Sequence, residues 1–440
     1  MITQISEHVY IVNGERLILI SNYNLQKCLD ISKIINSVFS NPEIHHFSPN
    51  RYFSKKPSYA TKAEFMITDA CNFACIYCYS SEHHSSSTLD YHKGTIVIDR
   101  IINNAIYSSC ICGSNREITV SFHGGGEPLC ASSLVYRLID YASQRCMEKN
   151  ISCQYHISTN LGIDDQNTLK YLIDNRVYIH VSMDGIASVQ NHQRPFINGG
   201  SSFDRVASNL DYLQNNNASF SVRMTITDDS LNFMLDSVNY ICKRWPSVRY
   251  VKLAPLENTP ASYSNDLKFT RIDEYISLLP QVIKLFDKHN IPHNSIYGGI
   301  KNISSCGSCS AIRFEQLIIT ASGDVVCCHE GEGDEKYTYG SIDRALVLNE
   351  DAINQIKKSS IDSLTSGLCS ACSHRAFCLG GCMHRRLSSS RDTFCSIQKD
   401  YINRTLQNIL MSNYTAYPSL RSGEVTCSEM EVIKYVWFDL

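Results

Sequence analysis

Between residues 62 and 289 the chain alternates six times between a short strand-like run and a helical stretch. The strand-like runs are EFMIT (64–68), EITVSFH (117–123), CQYHIST (153–159), VYIHVSM (177–183), FSVRMTI (220–226) and RYVKLA (249–254). Helical patterns follow at 90–108, 131–149, 164–175, 203–215, 231–244 and 270–289. Neighbouring parallel strands need a long crossover between them, so this order predicts an α/β fold with a parallel sheet, open or closed into a partial (β/α)6 TIM-like barrel. Such sheets bind ligands at the C-terminal ends of their strands. The unusual polar motifs fall there: the cysteines of TDACNFACIYCYS after the first run, HGGGEP (123–128) at the end of the second, Thr159-Asn160 at the third and Ser182-Met183-Asp184-Gly185 at the fourth. One rim collects them all, which predicts an active site on that rim.

The flanks read differently. Residues 1–60 hold two strand-like runs, HVYIV and RLILI, joined by an Asn13-Gly14 turn signal, then a helical pattern, LQKCLDISKIINSVF, and a linker with Pro and Ser. After residue 300 come short strands and cysteine-rich loops, a final helix at 396–413 and one or two strands at the end. The expected organisation is a small N-terminal segment (1–60), a core (61–300), a cysteine-rich domain (301–396) and a C-terminal helix and tail (397–440).

The formal net charge of −3 calls for neither nucleic acid nor an anionic membrane. The N-terminus lacks the basic n-region of a signal peptide, and the apolar runs fall short of the roughly 18–20 residues of a membrane span. A soluble cytoplasmic protein is expected. Against that background 20 cysteines stand out. A large chain without an export signal is no disulfide scaffold, and clustered cysteines in such a protein point to metal. Most of those outside two groups read as small buried apolar residues.

The first group is Cys71, Cys75 and Cys78, spaced C-x3-C-x2-C. Structural zinc wants four ligands, usually drawn as two close pairs. Three cysteines suit a [4Fe–4S] cluster with one iron left open for a substrate or cofactor. This motif after the first strand of a partial barrel, with Tyr77 before the last cysteine, resembles the radical S-adenosylmethionine enzymes. The resemblance implies that S-adenosylmethionine chelates the open iron through its amino and carboxylate groups and is cleaved to a 5′-deoxyadenosyl radical. Gly125-Gly126-Glu127-Pro128 is similar to the family's GGEP motif. Its glycines let backbone come close to the cofactor, and its carboxylate can meet the methionine ammonium. Thr159, Asn160, Ser182 and Asp184 match polar positions near the cofactor, and Arg194 matches one that can hold the methionine carboxylate. Strand-end capping is the plainer reading of these five. Leu253-Ala254-Pro255 stands where the family packs the adenine.

The second group runs from 306 to 395: CGSC, GDVVCC, CSACSHRAFCLGGC and Cys395. Its spacing, with Gly323 before Cys328, resembles the SPASM extension of peptide- and protein-modifying radical enzymes. The resemblance implies two auxiliary [4Fe–4S] clusters, three in all. Cys306, Cys309, Cys328 and Cys382 would hold one, and Cys369, Cys372, Cys378 and Cys395 the other. Two structural zinc sites fit the same ligand count. Cys327 competes with Cys328, and the family's glycine spacing favours Cys328.

Sulfatase maturases of this family place an aspartate base after the cysteine matching Cys328. Here His329 and Glu330 follow and are the candidate bases. The departure favours maturation of a ribosomally made (RiPP) precursor peptide, with an oxidative C–C or thioether crosslink (a cyclophane is one such product), over formylglycine formation or epimerisation. Closing such a bond leaves one electron and one proton, which an auxiliary cluster and a base can take. The implied partners are a precursor peptide with a leader and an external electron donor of flavodoxin or ferredoxin type; residues 1–60 read first as a structural cap on the barrel and second as a leader-binding segment.

Overall fold

The computed structural model describes residues 2–6, 9–12, 17–20, 36, 40, 59–113, 115–256, 262, 264–267, 269–293, 313–365, 369–378, 380–382, 395–396, 398–400, 402–403, 406, 420–427 and 430–438. The helix expected at 25–39 and the Asn13-Gly14 turn lie outside them, as do Cys306 and Cys309. The chain forms two compact units. One comprises Met1–Ser54, Ile296–Arg313 and Ile353–Leu440, the other Lys55–Ser295 and Phe314–Ala352.

In the first unit, β1 (Ile2–Ser6), β2 (Val9–Val12) and β3 (Leu17–Ile20) run antiparallel to one another. β3 also pairs with Met430–Phe438, which pairs in turn with Leu420–Cys427. The two ends of the chain therefore share one five-stranded sheet. The hairpin β2–β3 is interior to it, and the free edges belong to β1 and Leu420–Cys427.

The second unit is built on β4 (Lys62–Phe65), β5 (Glu117–Phe122), β6 (Ser152–Thr159), β7 (Tyr178–Ser182), β8 (Phe220–Ile226) and β9 (Val251–Pro255), side by side in chain order and all parallel. The crossovers contain α1 (Tyr91–Cys112), α2 (Ser132–Lys149), α3 (Gln166–Asp174), α4 (Ala187–Gln193), α5 (Phe203–Asn215), α6 (Asp228–Leu231) and α7 (Met234–Arg244), and α8 (Ile272–Lys288) follows β9. Local chemistry sets their ends. Asp90 caps α1 by accepting the His92 and Lys93 N–H groups, and Gly113 closes it in the left-handed region at φ 64°. The mixed α/β fold with a parallel sheet agrees with the expectation from the sequence. The first strand ends earlier than expected, at Phe65, and Thr68 makes an isolated bridge to Thr88 instead.

One pairing was not foreseen. β10 (Gln316–Ile319) pairs parallel with β4 and adds a seventh parallel strand on its free edge. The antiparallel strands β11 (Asp324–Val326), β12 (Thr338–Ile342) and β13 (Leu346–Leu348) extend the sheet further.

Register divides the sheet into two faces. Phe65, Phe122, Ile157, Ile179 and Phe220 pair in one row across five strands, and all are fully buried. The preceding row, Glu64, Ser121, His156 and Tyr178, is half-buried and polar. Side chains alternate along a strand, so the apolar rows form the core under the helices and the polar rows line the opposite face.

Candidate active site

The chain leaves β4 into a loop that carries Cys71, Cys75 and Cys78, all half-buried. The glycine run packs against the start of this loop. Gly126 N–H donates to the Thr68 carbonyl at 2.7 Å and Glu127 N–H to the Ala70 carbonyl at 2.8 Å. A Cβ on Gly126 would stand 2.0 Å from the Ala70 oxygen, and Gly125 has φ 62°. Only glycine permits that approach. The glycines bring two backbone segments together directly beneath the thiols.

Glu127 is buried and ties this cradle to the end of β6. Its Oε1 accepts Thr159 Oγ1–H at 2.6 Å and Leu129 N–H at 3.1 Å, and its Oε2 accepts Asn160 N–H at 2.6 Å. Burial raises its pKa, and the three donors oppose that rise. This carboxylate, which the sequence reading sets against the methionine ammonium, holds three protein donors and keeps one lone pair on Oε2. Asn160 reaches back to the thiol loop, its Nδ2 donating to Asn72 Oδ1 at 2.7 Å and lying 4.0 Å from Cys71 Sγ. Asn72 donates in turn to the Gly162 carbonyl at 3.0 Å.

A second buried network stands behind Cys75. Asp184 Oδ2 accepts from Tyr77 Oη, from Gln193 Nε2 at 2.7 Å and from Arg194 Nε at 3.0 Å, while Oδ1 accepts Thr225 N–H at 2.8 Å. Gln190 Oε1 accepts the Asp184 N–H at 2.8 Å. The Arg194 guanidinium lies 5.2 Å from the centre of the Tyr77 ring, and its Nη1 lies 3.8 Å from Cys75 Sγ. Burial opposes the charge on Arg194, but Asp184 holds its pKa well above the usual arginine value. Arg194, which the sequence reading sets against a cofactor carboxylate, pairs with Asp184 and stands beside Cys75. Ser182 sits half-buried at the end of β7.

The thiols fit a cationic cluster. Burial pushes Cys71 and Cys75 up to about 12 and also raises Cys78, and neighbouring thiol charge adds to the rise at Cys71 and Cys75. Three sulfurs that ionise reluctantly beside one another suit a thiophilic cation, which deprotonates a coordinating thiol outright. An open cavity of about 330 Å³ borders Cys75 and Cys78 and is lined also by Phe73, His84, Ile197 and Asn265. His84 Nε2 lies 3.9 Å from Cys78 Sγ, within what the sequence offers only as a polar loop.

On the polar face, His329 Nδ1 lies 3.5 Å from Glu64 Oε1, and its ring centre is 4.8 Å from that of His123 and 5.4 Å from that of Tyr79. Burial works against the Glu64 charge, yet His329 and His123 lower its pKa to about 2. Burial brings His123 down to about 4. Glu330 is half-buried in the same short turn, His329–Gly331. Cys327 is buried beneath β11, while Cys328 is half-buried. In the other unit, Cys369, Cys372, Cys378, Cys382 and Cys395 are all half-buried. The turns around Cys369–Cys378 are fixed by Cys372 N–H to the Cys369 carbonyl at 3.1 Å and by His374, whose Nε2 is 2.6 Å from Asn403 Oδ1.

Three thiols over a glycine cradle, on the C-terminal rim of a parallel α/β sheet, describe an enzyme that holds a cluster and a cofactor at its strand ends. Residues 65–234 match the Radical SAM superfamily, so the chain carries a Radical SAM domain. That family implies S-adenosylmethionine and a [4Fe–4S] cluster. The chain is 20% identical over 369 residues to the cysteine-type anaerobic sulfatase-maturating enzyme of Clostridium perfringens, covering 78% of this chain and 95% of that one. In fold it is similar to anSMEcpe with bound AdoMet and Cp18Cys peptide, at a TM-score of 0.65 and 16% identity over 81% of this chain and 99% of that one. It is also similar to Streptococcus suis SuiB bound to precursor peptide SuiA, at a TM-score of 0.51 and 12% identity over 87% and 95%.

Proposed function

We propose that this chain is a radical SAM/SPASM peptide maturase that takes a hydrogen atom from a ribosomally made precursor peptide and installs an oxidative C–C or thioether crosslink. The observation that carries this reading is the shared rim: the three-thiol loop, its glycine cradle and the polar sheet face with Glu64 and His329 all belong to the C-terminal ends of β4–β8 and the turn after β11. Cys71, Cys75 and Cys78 would hold the cluster, with Asn160, Ser182 and the glycine backbone beside the cofactor. Bound there, cluster and cofactor supply a 5′-deoxyadenosyl radical. Asp184 and Arg194 keep a positive charge beside Cys75. His329, oriented by Glu64, would accept the proton released on closing the crosslink, with Glu330 the neighbouring alternative.

The rest of the assignment follows the same reading. Cys306, Cys309, Cys328 and Cys382, and Cys369, Cys372, Cys378 and Cys395, would hold two auxiliary [4Fe–4S] clusters in a SPASM domain at 301–396. A leader segment would add as a strand to a free edge of the five-stranded sheet, at β1 or Leu420–Cys427. An external flavodoxin- or ferredoxin-type donor would supply the starting electron, in the cytoplasm; no described helix is long and apolar enough to cross a membrane.

The test is co-expression with a short precursor reading frame adjacent to this gene, followed by mass spectrometry of the peptide. Loss of two hydrogens per modification is expected. An unchanged mass would turn the reading to epimerisation. The Clostridium perfringens relative favours one further reading, formylglycine formation. Conversion of a sulfatase-derived Cys or Ser peptide to formylglycine would establish it in place of the crosslink.

A further inference from the structure

β8 is flanked by strands on both sides, and six of its seven residues are buried; Arg223 alone is exposed. An exposed side chain in the middle of an interior strand must open into space above the sheet. Register puts Arg223 between Ser182 of β7 and Lys252 of β9, and Lys252 is exposed as well. Two cations at paired positions on adjacent strands repel each other. The Arg223 side chain makes no hydrogen bond or ion pair among the described residues.

Among the described residues, the carboxylates of these strands are placed away from Arg223. Of the acidic residues that β4–β9 put on the polar face, Glu64 is held by His329, and Glu117, at the far end of β5, accepts from Gln154. The other titratable side chains that these strands put there are His156, His180, Tyr178, Lys62 and Lys252. His180 is 2.8 Å from Ser221 Oγ, and Lys252 charge helps to keep it neutral; the Arg223 charge is felt at His123 and His329. Arg223 therefore addresses the same space as the Glu64–His329 pair, whereas the thiol trio has its own cation in Arg194.

We propose that Arg223, with Lys252 beside it, forms a carboxylate-binding subsite on the polar sheet face that takes an acidic side chain of the peptide substrate close to the residue being modified. This rests on the peptide-maturase reading given above. The guanidinium offers a planar fork that matches a carboxylate bidentately.

Labelling of arginines by phenylglyoxal, read by peptide mass spectrometry on the reconstituted full chain, tests this without turnover. N-acetyl-aspartate N-methylamide at saturation should slow labelling of Arg223 by about tenfold, and its asparagine counterpart should not. Lys252→Gln should weaken that protection. Protection by S-adenosylmethionine but not by the aspartate probe would assign the subsite to the cofactor's carboxylate and overturn the proposal. Equal labelling in every arm would overturn it too. Formation of 5′-deoxyadenosine on the same preparation is scored separately. Its absence alongside selective protection would sink the maturase reading and leave the carboxylate subsite standing.

Discussion

Arg194 Nε donates to Asp184 Oδ2 at 3.0 Å, and both side chains lie inside the protein. Because Asp184 also accepts from Tyr77, Gln193 and Thr225, it joins the thiol loop, α4 and β8 at one carboxylate. Removing one partner of a buried pair leaves the other charge uncompensated. Asp184→Asn is therefore expected to lower stability by about 3–5 kcal/mol, read as a fall in the urea midpoint under anaerobic conditions. Arg194→Met should cost less, since Asp184 keeps its neutral donors. The double variant should lose less than the sum of the two, the signature of direct coupling.

Gly126→Ala places a methyl carbon 2.0 Å from the Ala70 oxygen. The glycine run must then withdraw from the loop that presents Cys71. The expected result after reconstitution is a loss of about four irons per chain, one cubane, with the remaining iron retained. Full iron content in the variant would show that the cradle does not shape the thiol loop.

Acid should weaken the polar sheet face. Burial, helped by the charges of His156 and Lys252, lowers His180 to about 4, against an unfolded value of about 6.5. The folded state therefore favours the neutral ring. Its contribution is complete above about pH 6.5 and is lost as pH falls toward 4. His123, also near 4, adds in the same direction. Urea midpoints should drop between about pH 7 and about pH 5, and His180→Gln should reduce that slope. An unchanged slope in the variant would remove His180 from the account.

The order of the parallel strands and most helix limits were legible because hydrophobic periodicity is local: the run FSVRMTI coincides with β8, Phe220–Ile226. The rim was legible too, since βα topology fixes which strand ends face a ligand. What stayed hidden depends on contacts across the sequence. β10 pairs with a strand some 250 residues earlier, and three-residue partners such as β11 carry too little pattern to announce a sheet. The parts played by Asn72 and Gln193 show only where Asn160 and Asp184 come within bonding distance. The GGEP motif pointed to Glu127 but not to its protein donors Thr159, Asn160 and Leu129, because a motif names a residue and not its partners. Glu64 and His123 gave no signal at all: each is a single polar residue in or beside a strand, and only register across β4 and β5 sets them on one face.

The number of clusters is the point on which the cysteine pattern makes its sharpest demand. The half-buried trio at 71–78 and the half-buried set at 369–382 lie in different structural units. With three cubanes, the reconstituted protein should hold about 12 irons, and Cys71→Ala/Cys75→Ala/Cys78→Ala should hold about eight. Those eight should be redox-active but unable to cleave S-adenosylmethionine, because no open iron remains. Cys369→Ala/Cys372→Ala/Cys378→Ala should likewise lose about four irons and yet retain reductive formation of 5′-deoxyadenosine. Zinc in place of the missing iron, found by metal analysis of the anaerobically purified wild type, would overturn the auxiliary clusters while leaving the trio intact. If the Cys369 variant instead lost cofactor cleavage at full occupancy of the trio, the second set would belong to the path by which the first is reduced.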